Sequence, residues 1–213
     1  MGSGLSHSPL NRKTLAEAID QLSSCEILGP VVEAYEAPKL ARAVDPFAKV
    51  VASIVGQQLS TKAAATIHKR LLGLFDEGEL APVAMLALSP EELREVGISK
   101  QKAGYLHDLS QKLIDGTVRP EEFPQLSNEE ISSQLIQIKG IGQWSADMYL
   151  IFALNRTDVW PIGDLGIQNG VQALLGRKKK LTPLAMQRAG NRWKPYRSVA
   201  ARYVWSSLDN TPD

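Results

Sequence analysis

Leu135-Ile136-Gln137-Ile138-Lys139-Gly140-Ile141-Gly142-Gln143-Trp144-Ser145-Ala146 is the stretch on which the reading of this chain turns. The helix that enters it starts at Ser127-Asn128-Glu129-Glu130, an N-cap signal with acids in the first turn, and runs to about Ile138. Gly140 and Gly142 then flank one apolar residue, and a second helix begins at Gln143. Without a Cβ, both glycines allow positive φ and leave room for a foreign backbone to approach. Ile141 fills the angle between the helices. The amides of Gly140, Gly142 and Gln143 then face outward beside a helix N-terminus, where an anionic oxygen is favoured. A dinucleotide fingerprint would need a third glycine where Ser145 stands, with a strand before it. A P-loop would need Gly-Lys-Ser/Thr, which is absent. An ordinary αα-turn stays open on this stretch alone.

Outward from the hairpin, helical signals dominate. Leu15, Ala18, Ile19 and Leu22 recur at helical spacing within 13–25. Pro46 opens a helix to about Val55; Gly56-Gln57-Gln58-Leu59 interrupts, and Ser60 caps another over 61–75. Ser89-Pro90-Glu91-Glu92 starts a short helix ended by Gly97, and 100–116 carries the next. After the hairpin helix, 143–154, come 165–175, 182–194 and 195–207. No stretch alternates like a strand, so the fold class is all-α with about ten helices. Residues 1–11, rich in Ser and Gly, read as disordered. Met1–Ser6 also fits the N-myristoylation pattern, for which a plain polar start is the simpler reading.

Composition narrows the function classes. Of 213 residues 44% are hydrophobic and 22% charged, ordinary for a globular chain, which sets aside collagen-like, coiled-coil and disordered classes. One cysteine, Cys25, forbids an internal disulfide, a Cys₄ zinc site and a cysteine-ligated iron–sulfur cluster. The uncharged runs 71–75 and 148–155 are far too short to span a bilayer, so no membrane partner is expected. From Leu165 to Leu208 there are nine basic residues and no acid, while the rest of the chain carries 15 basic against 23 acidic, a net of −8. A basic third on an acidic protein is the footprint of a polyanion-binding face. Trp144, Trp160, Trp193 and Trp205 fall in the same C-terminal third, and flat rings among cations suit phosphate binding and base stacking. Core packing is the bland reading for each ring, and the preferred one for Trp193.

Twenty residues beyond Trp144, Asp164 stands in Asp158-Val159-Trp160-Pro161-Ile162-Gly163-Asp164-Leu165-Gly166-Ile167. Pro161 and Gly163 force an irregular turn, and Asp164 sits where the next helix begins. An N-cap worth ~1 kcal/mol would account for it. A phosphate-gripping hairpin, a carboxylate and aromatic rings so close in sequence also suit an enzyme that attacks a nucleotide drawn out of DNA.

From Val44 to Leu208 the chain resembles the helix-hairpin-helix DNA glycosylases, in particular their alkyladenine (3-methyladenine) branch. The resemblance is carried by Phe47–Ser60, by Leu93–Ser99 with Lys102-Ala103, by the hairpin, by the Asp164 turn and by Trp193–Ser198. It implies two helical lobes with the active-site cleft between them, one made of 12–45 plus 165–213, the other of 46–164 with the hairpin at about 135–154. It implies Asp164 as catalytic residue and Trp144, Met148, Trp160 and Trp205 as lining of the base pocket. Gln57, Gln58 and Leu59 would wedge into the duplex. Gly140, Gly142, Gln143, Ser145 and Lys139 would hold phosphate. The backbone carbonyls of Ile136, Ile138 and Ile141 would hold a monovalent cation, Na⁺ or K⁺, when DNA is bound; no other cofactor is expected. The expected partner is double-stranded DNA with an alkylated base or abasic site, bound by a monomer, in the nucleus of a eukaryote or the cytoplasmic nucleoid otherwise.

Branches of the family that also cut the backbone use a lysine two residues after the second hairpin glycine as a Schiff-base nucleophile. Trp144 occupies that position, so the resemblance implies a monofunctional glycosylase acting on 3-methyladenine and 7-methylguanine in base excision repair. Two positions depart from the family pattern. Gln168-Asn169 stand where relatives commonly carry a basic residue, and Met148 where a pocket tyrosine is found. Two alternatives therefore stay open: a catalytically weak relative that binds lesion or abasic DNA, and a hairpin interaction module without base flipping.

Overall fold

The computed structural model describes residues 9–40, 45–75 and 79–209. Among them lie twelve α-helices: α1 (Arg12–Ser23), α2 (Gly29–Ala34), α3 (Pro46–Gly56), α4 (Thr61–Leu72), α5 (Pro82–Ala87), α6 (Pro90–Glu95), α7 (Lys100–Ile114), α8 (Asn128–Leu135), α9 (Gln143–Phe152), α10 (Leu165–Leu174), α11 (Pro183–Asn191) and α12 (Arg197–Asp209), with a 3₁₀ turn at Pro120–Gln125. No strand occurs among the described residues beyond an isolated bridge between Pro9 and Arg156. The all-α reading holds. The caps fall where side-chain chemistry asks for them: Ser60, Ser89, Ser99, Ser127 and Asp164 each accept an amide of the first turn.

Sequence periodicity misses α2 and α5, both six residues long, because fewer than two turns cannot display a repeat. It also overruns α8. The helix stops at Leu135, and Gln137 and Ile138 close onto Gln134 and Leu135 by tighter i→i−3 bonds of 3.2 and 3.1 Å. The N-terminal disorder expected over 1–11 does not extend to its last residues. Leu10 is buried and its amide donates to the Asn155 carbonyl at 2.6 Å, while Asn11 caps α1. Residues 1–8, with the myristoylation pattern, lie outside the described residues.

The chain divides into two compact units, one comprising Met1–Arg42 with Leu150–Asp213 and the other Ala43–Tyr149. The dividing line thus places 150–164 with the chain ends, where the sequence put it with the centre. The cause is polar as well as apolar. Asp158 is clamped by Arg197 through Nε at 2.6 Å and Nη2 at 3.0 Å. The Val159 amide donates to Ser198 Oγ at 2.9 Å, and the buried Arg202 donates to the carbonyls of Ile151 and Lys39 at 2.6 and 2.7 Å. Around these pack Leu22, Leu28, Trp160, Val171, Trp193 and Val204 as one core. In the other unit Phe47, Ile54, Met85, Leu93, Leu106, Phe123 and Leu135 are buried.

Candidate nucleic-acid interface and active site

In the hairpin, Gly140 takes φ +81° and Ile141 is buried at 7% exposure, filling the angle between α8 and α9. Gly142, by contrast, does not use positive φ; its lack of a side chain matters because the space around it is open. The Gly142 carbonyl accepts the Ala146 amide at 3.0 Å, which makes it the N-cap residue of α9, with no side chain to cover the first-turn amides. The Gly140 and Gly142 amides have no hydrogen-bond partner among the described residues. The hairpin is braced from behind by α7. The Lys139 amide donates to Asp108 Oδ2 at 2.8 Å, and the Lys139 ammonium sits 3.3 Å from Oδ1. Burial opposes the charge on Asp108, but hydrogen bonds from Lys112 and Lys139 outweigh it and hold the carboxyl below the usual carboxylate range.

The Gln57-Gln58-Leu59 turn faces the same cleft of this unit. The cleft, about 320 Å³, is bordered by Gln57, Leu59, Gly97, Lys102, Tyr105 and Gly140. Gln58 is exposed and adopts φ +56°, a conformation costing a non-glycine residue about 1–2 kcal/mol. Leu59 is exposed as well. Gln57 is not free to wedge: its amide nitrogen donates to the Gly140 carbonyl at 2.9 Å and so ties the turn to the hairpin. The Lys102 ammonium holds the carbonyls of Val55 and Gln57 at 2.7 and 2.8 Å, and desolvation draws its pKa below the ordinary lysine value.

Asp164 is half-buried at the N-cap of α10. Its Oδ1 accepts the Ile167 amide and the Trp205 indole N–H, both at 2.8 Å. Trp205 in turn stacks on Phe152, with centroids 5.6 Å apart and planes at 29°, and the Arg202 guanidinium lies 5.0 Å over the Phe152 ring. A Cβ on Gly166 would stand 2.9 Å from Trp205 Cδ1 and 3.1 Å from Asp164 Oδ1, so the missing side chain keeps this pair together. A carboxylate held by an indole N–H at a positive helix terminus can stabilise a nearby cation and orient water.

A search of known families matches residues 51–195 to the HhH-GPD superfamily base excision DNA repair proteins. The chain belongs to that superfamily. DNA-3-methyladenine glycosylase 1 of Schizosaccharomyces pombe is 35% identical over 165 residues, 76% of this chain and 72% of that protein. The structure of an S. pombe 3-methyladenine DNA glycosylase in complex with abasic DNA superposes with a TM-score of 0.80 at 32% identity, covering 91% of this chain and 97% of that one. A DNA-3-methyladenine glycosidase from Bacillus halodurans gives 0.82 at 32% identity, covering 92% and 89%.

Within this HhH-GPD frame the remaining expected residues fall as follows. Trp144 is half-exposed on the first turn of α9, and Met148 is partly buried one turn on. Trp160 corrects an expectation. It is 8% exposed, donates its indole N–H to the Met186 carbonyl at 3.0 Å and meets Trp193 edge-on at 5.1 Å. That is a core ring rather than an open pocket wall, and Trp193 is core as read. Ser145 is largely buried, at 9% exposure. Gln143 spends its side chain on Asp147, donating to Oδ1 at 2.8 Å; burial lifts Asp147 to about 6 against that bond. Asp158 is engaged by Arg197, as a structural residue would be. The departure at Gln168 has a local role, since its amide nitrogen donates to the Ile162 carbonyl at 2.9 Å and steadies the turn before Asp164.

Sequence reasoning missed Phe152, Arg202, Gly166, Tyr105 and Asp108, all of which act through a partner distant in sequence. Lys102 was legible only as part of the resembling segment. Among the described residues no group of three or more His, Cys, Asp or Glu side chains could hold a metal. The carbonyls of Ile136, Ile138 and Ile141 are a different donor set, neutral, hard oxygens of the hairpin; Ile136 is the C-cap of α8, and the Ile138 carbonyl also accepts the Ile141 amide at 3.0 Å. Oxygens of this chemistry suit a hard monovalent cation rather than a soft metal.

Proposed function

We propose that this chain is a monofunctional DNA glycosylase that hydrolyses the N-glycosidic bond of alkylated purines, 3-methyladenine and 7-methylguanine, in base excision repair. The observation that carries the reading is Asp164, pinned through Oδ1 by the Ile167 amide and the Trp205 indole. The names of the superfamily relatives support the same substrate class. The hairpin amides of Gly140 and Gly142 hold a backbone phosphate of double-stranded DNA, and the carbonyls of Ile136, Ile138 and Ile141 would hold a monovalent cation whose positive charge would favour that phosphate. Exposed Gln58 and Leu59 fill the space a departing nucleotide leaves.

Alkylation at N3 or N7 makes the purine cationic, so the glycosidic electron pair leaves with the base without help from a general acid. The sugar becomes an oxocarbenium ion. The negative charge of Asp164 stabilises it, water adds at C1′, and the carboxylate takes the proton the water loses. Trp144 and Trp205 favour an electron-deficient ring over a neutral one. No amine stands where backbone-cutting relatives carry a lysine, because that residue is Trp144. The compartment that follows is that of genomic DNA, nuclear or nucleoid.

The test is to incubate the protein with methylated duplex in the presence of borohydride. Free 3-methyladenine and 7-methylguanine, intact strands until alkali is added, and no trapped adduct are expected. A covalent adduct at stoichiometric yield would overturn the monofunctional assignment and point to another amine, Lys139 first.

A further inference from the structure

Away from Asp164, the loop joining α10 to α11 folds into a groove of about 520 Å³ bordered by Arg177, Lys178, Lys179, Lys180, Arg188 and Arg192. All six side chains are exposed, and none forms an ion pair among the described residues. Cations at a helix C-terminus are usual, and one near the end of α10 would complement the dipole for about 0.3–1 kcal/mol. Six around one concavity go far beyond that need. With no acid between Leu165 and Leu208, they repel one another in the free protein. Fold stability therefore does not explain the arrangement; an external polyanion does.

The lining also says which polyanion. Leu175, Leu181, Ala185 and Ala189 give a floor on which lysine and arginine stems can lie while the charged heads face outward. No aromatic side chain lines the groove, so there is no platform for stacking the bases of a single strand. The polar lining is cationic apart from Thr182, without the carboxylate or amide side chains that read cytosine and adenine. What remains is recognition of phosphates in series, and a paired backbone provides them at fixed spacing. Asp164 begins α10 and the groove opens where α10 ends. The ten residues of that helix separate them by about 15 Å. A phosphate held in the groove is not that of the nucleotide under attack.

We propose that this groove is a second, lesion-independent binding site for the phosphate backbone of double-stranded DNA flanking the damaged nucleotide. The inference rests on the glycosylase reading for its partner. It adds an anchor that engages undamaged duplex before and after base release, beyond the hairpin.

The experiment compares wild type with the quadruple variant Arg177→Gln, Lys178→Gln, Lys179→Gln, Lys180→Gln, whose side chains are exposed, so that the melting temperature should not fall. Affinity for an undamaged 25-mer duplex is measured across a salt series, and saturating single-turnover base release is measured on methylated DNA. Removing two to three phosphate contacts should lower the slope of log K against log salt by about 2–3 and weaken binding on the order of tenfold. Base release at saturation stays at the wild-type rate. Lesion duplexes with three and with twelve flanking pairs then separate the sources. If the groove holds flanking duplex, the advantage of long flanks shrinks in the variant. Equal slopes and equal affinities in the two proteins would overturn the inference, as would a loss confined to heparin. A wild type that releases no base while the variant still loses its salt slope would remove the glycosylase reading and leave the groove standing.

Discussion

The unit spanning Ala43–Tyr149 contains two hairpins built on one plan. In α6–α7, Gly97 at φ +99° precedes buried Ile98, and a helix follows; in α8–α9, Gly140 at φ +81° precedes buried Ile141, and a helix follows. They diverge at the next residue. Ser99 caps α7, accepting the Lys102 amide at 3.2 Å, so that helix start is satisfied within the protein. Gly142 begins α9 with no side chain to offer, in open space. The same backbone thus makes a closed joint in one case and an open anion seat in the other. A single side chain at the N-cap separates structure from function.

The largest expected effect breaks the open seat. Gly142→Asp places a carboxylate in free space beside the phosphate position, so the fold should survive while affinity for undamaged duplex falls about 100-fold or more, from like-charge repulsion of several kcal/mol. Retained affinity in a binding titration would remove the hairpin from the interface. Gly140 cannot be used for that test. A Cβ there would overlap the Tyr105 ring, and the positive φ adds strain, so Gly140→Ala should lower stability by about 2–4 kcal/mol in urea unfolding. Tyr105→Ala in the same chain should recover part of the loss.

Asp147, one turn into α9, sharpens the comparison through pH. Its pKa in the fold is raised to about 6 from 3.8 by burial. The folded state therefore keeps a proton that the unfolded chain has lost, and the resulting penalty grows as pH rises from about 4 to 6 and is full above that. Asp147→Asn should stabilise the protein by about 1–2 kcal/mol at pH 7, after discounting for partial exposure, and by nothing below pH 3.5. Equal stabilisation at both pH values would contradict the burial argument. The smallest effect is at the closed joint: Ser99→Ala should cost ~1 kcal/mol of stability and leave DNA affinity unchanged.

What the sequence made legible follows the range of the physics involved. Caps, glycine turns and the Asp164 turn are local, and each was readable from a few neighbouring residues. The supports are not. Asp108 reaches Lys139 across 31 residues, Lys102 reaches the Val55 carbonyl across 47, and Trp205 reaches Asp164 across 41. Trp160 is a pocket ring only by the family resemblance. Its burial depends on Gly190, where a Cβ would collide with the indole, and nothing near Trp160 in sequence announces that approach. Phe152, exposed at the end of α9, gains its place by stacking on Trp205 and under the Arg202 guanidinium, 53 and 50 residues away.

The central claim is that the Asp164 carboxylate does the chemistry, and Asp164→Asn tests it with the least disturbance. The amide keeps the side-chain shape and the acceptor that caps α10, so stability should fall by well under 1 kcal/mol. Single-turnover release of 3-methyladenine from methylated duplex is compared with affinity for abasic duplex in the same preparations. Loss of the charge should slow base release by about 10²–10³-fold while abasic-DNA affinity stays level or tightens. Near-wild-type excision by Asp164→Asn, with loss in Asp158→Asn instead, would contradict the assignment; a wild type that grips abasic DNA and frees no base would replace the enzyme with a protein that marks lesions.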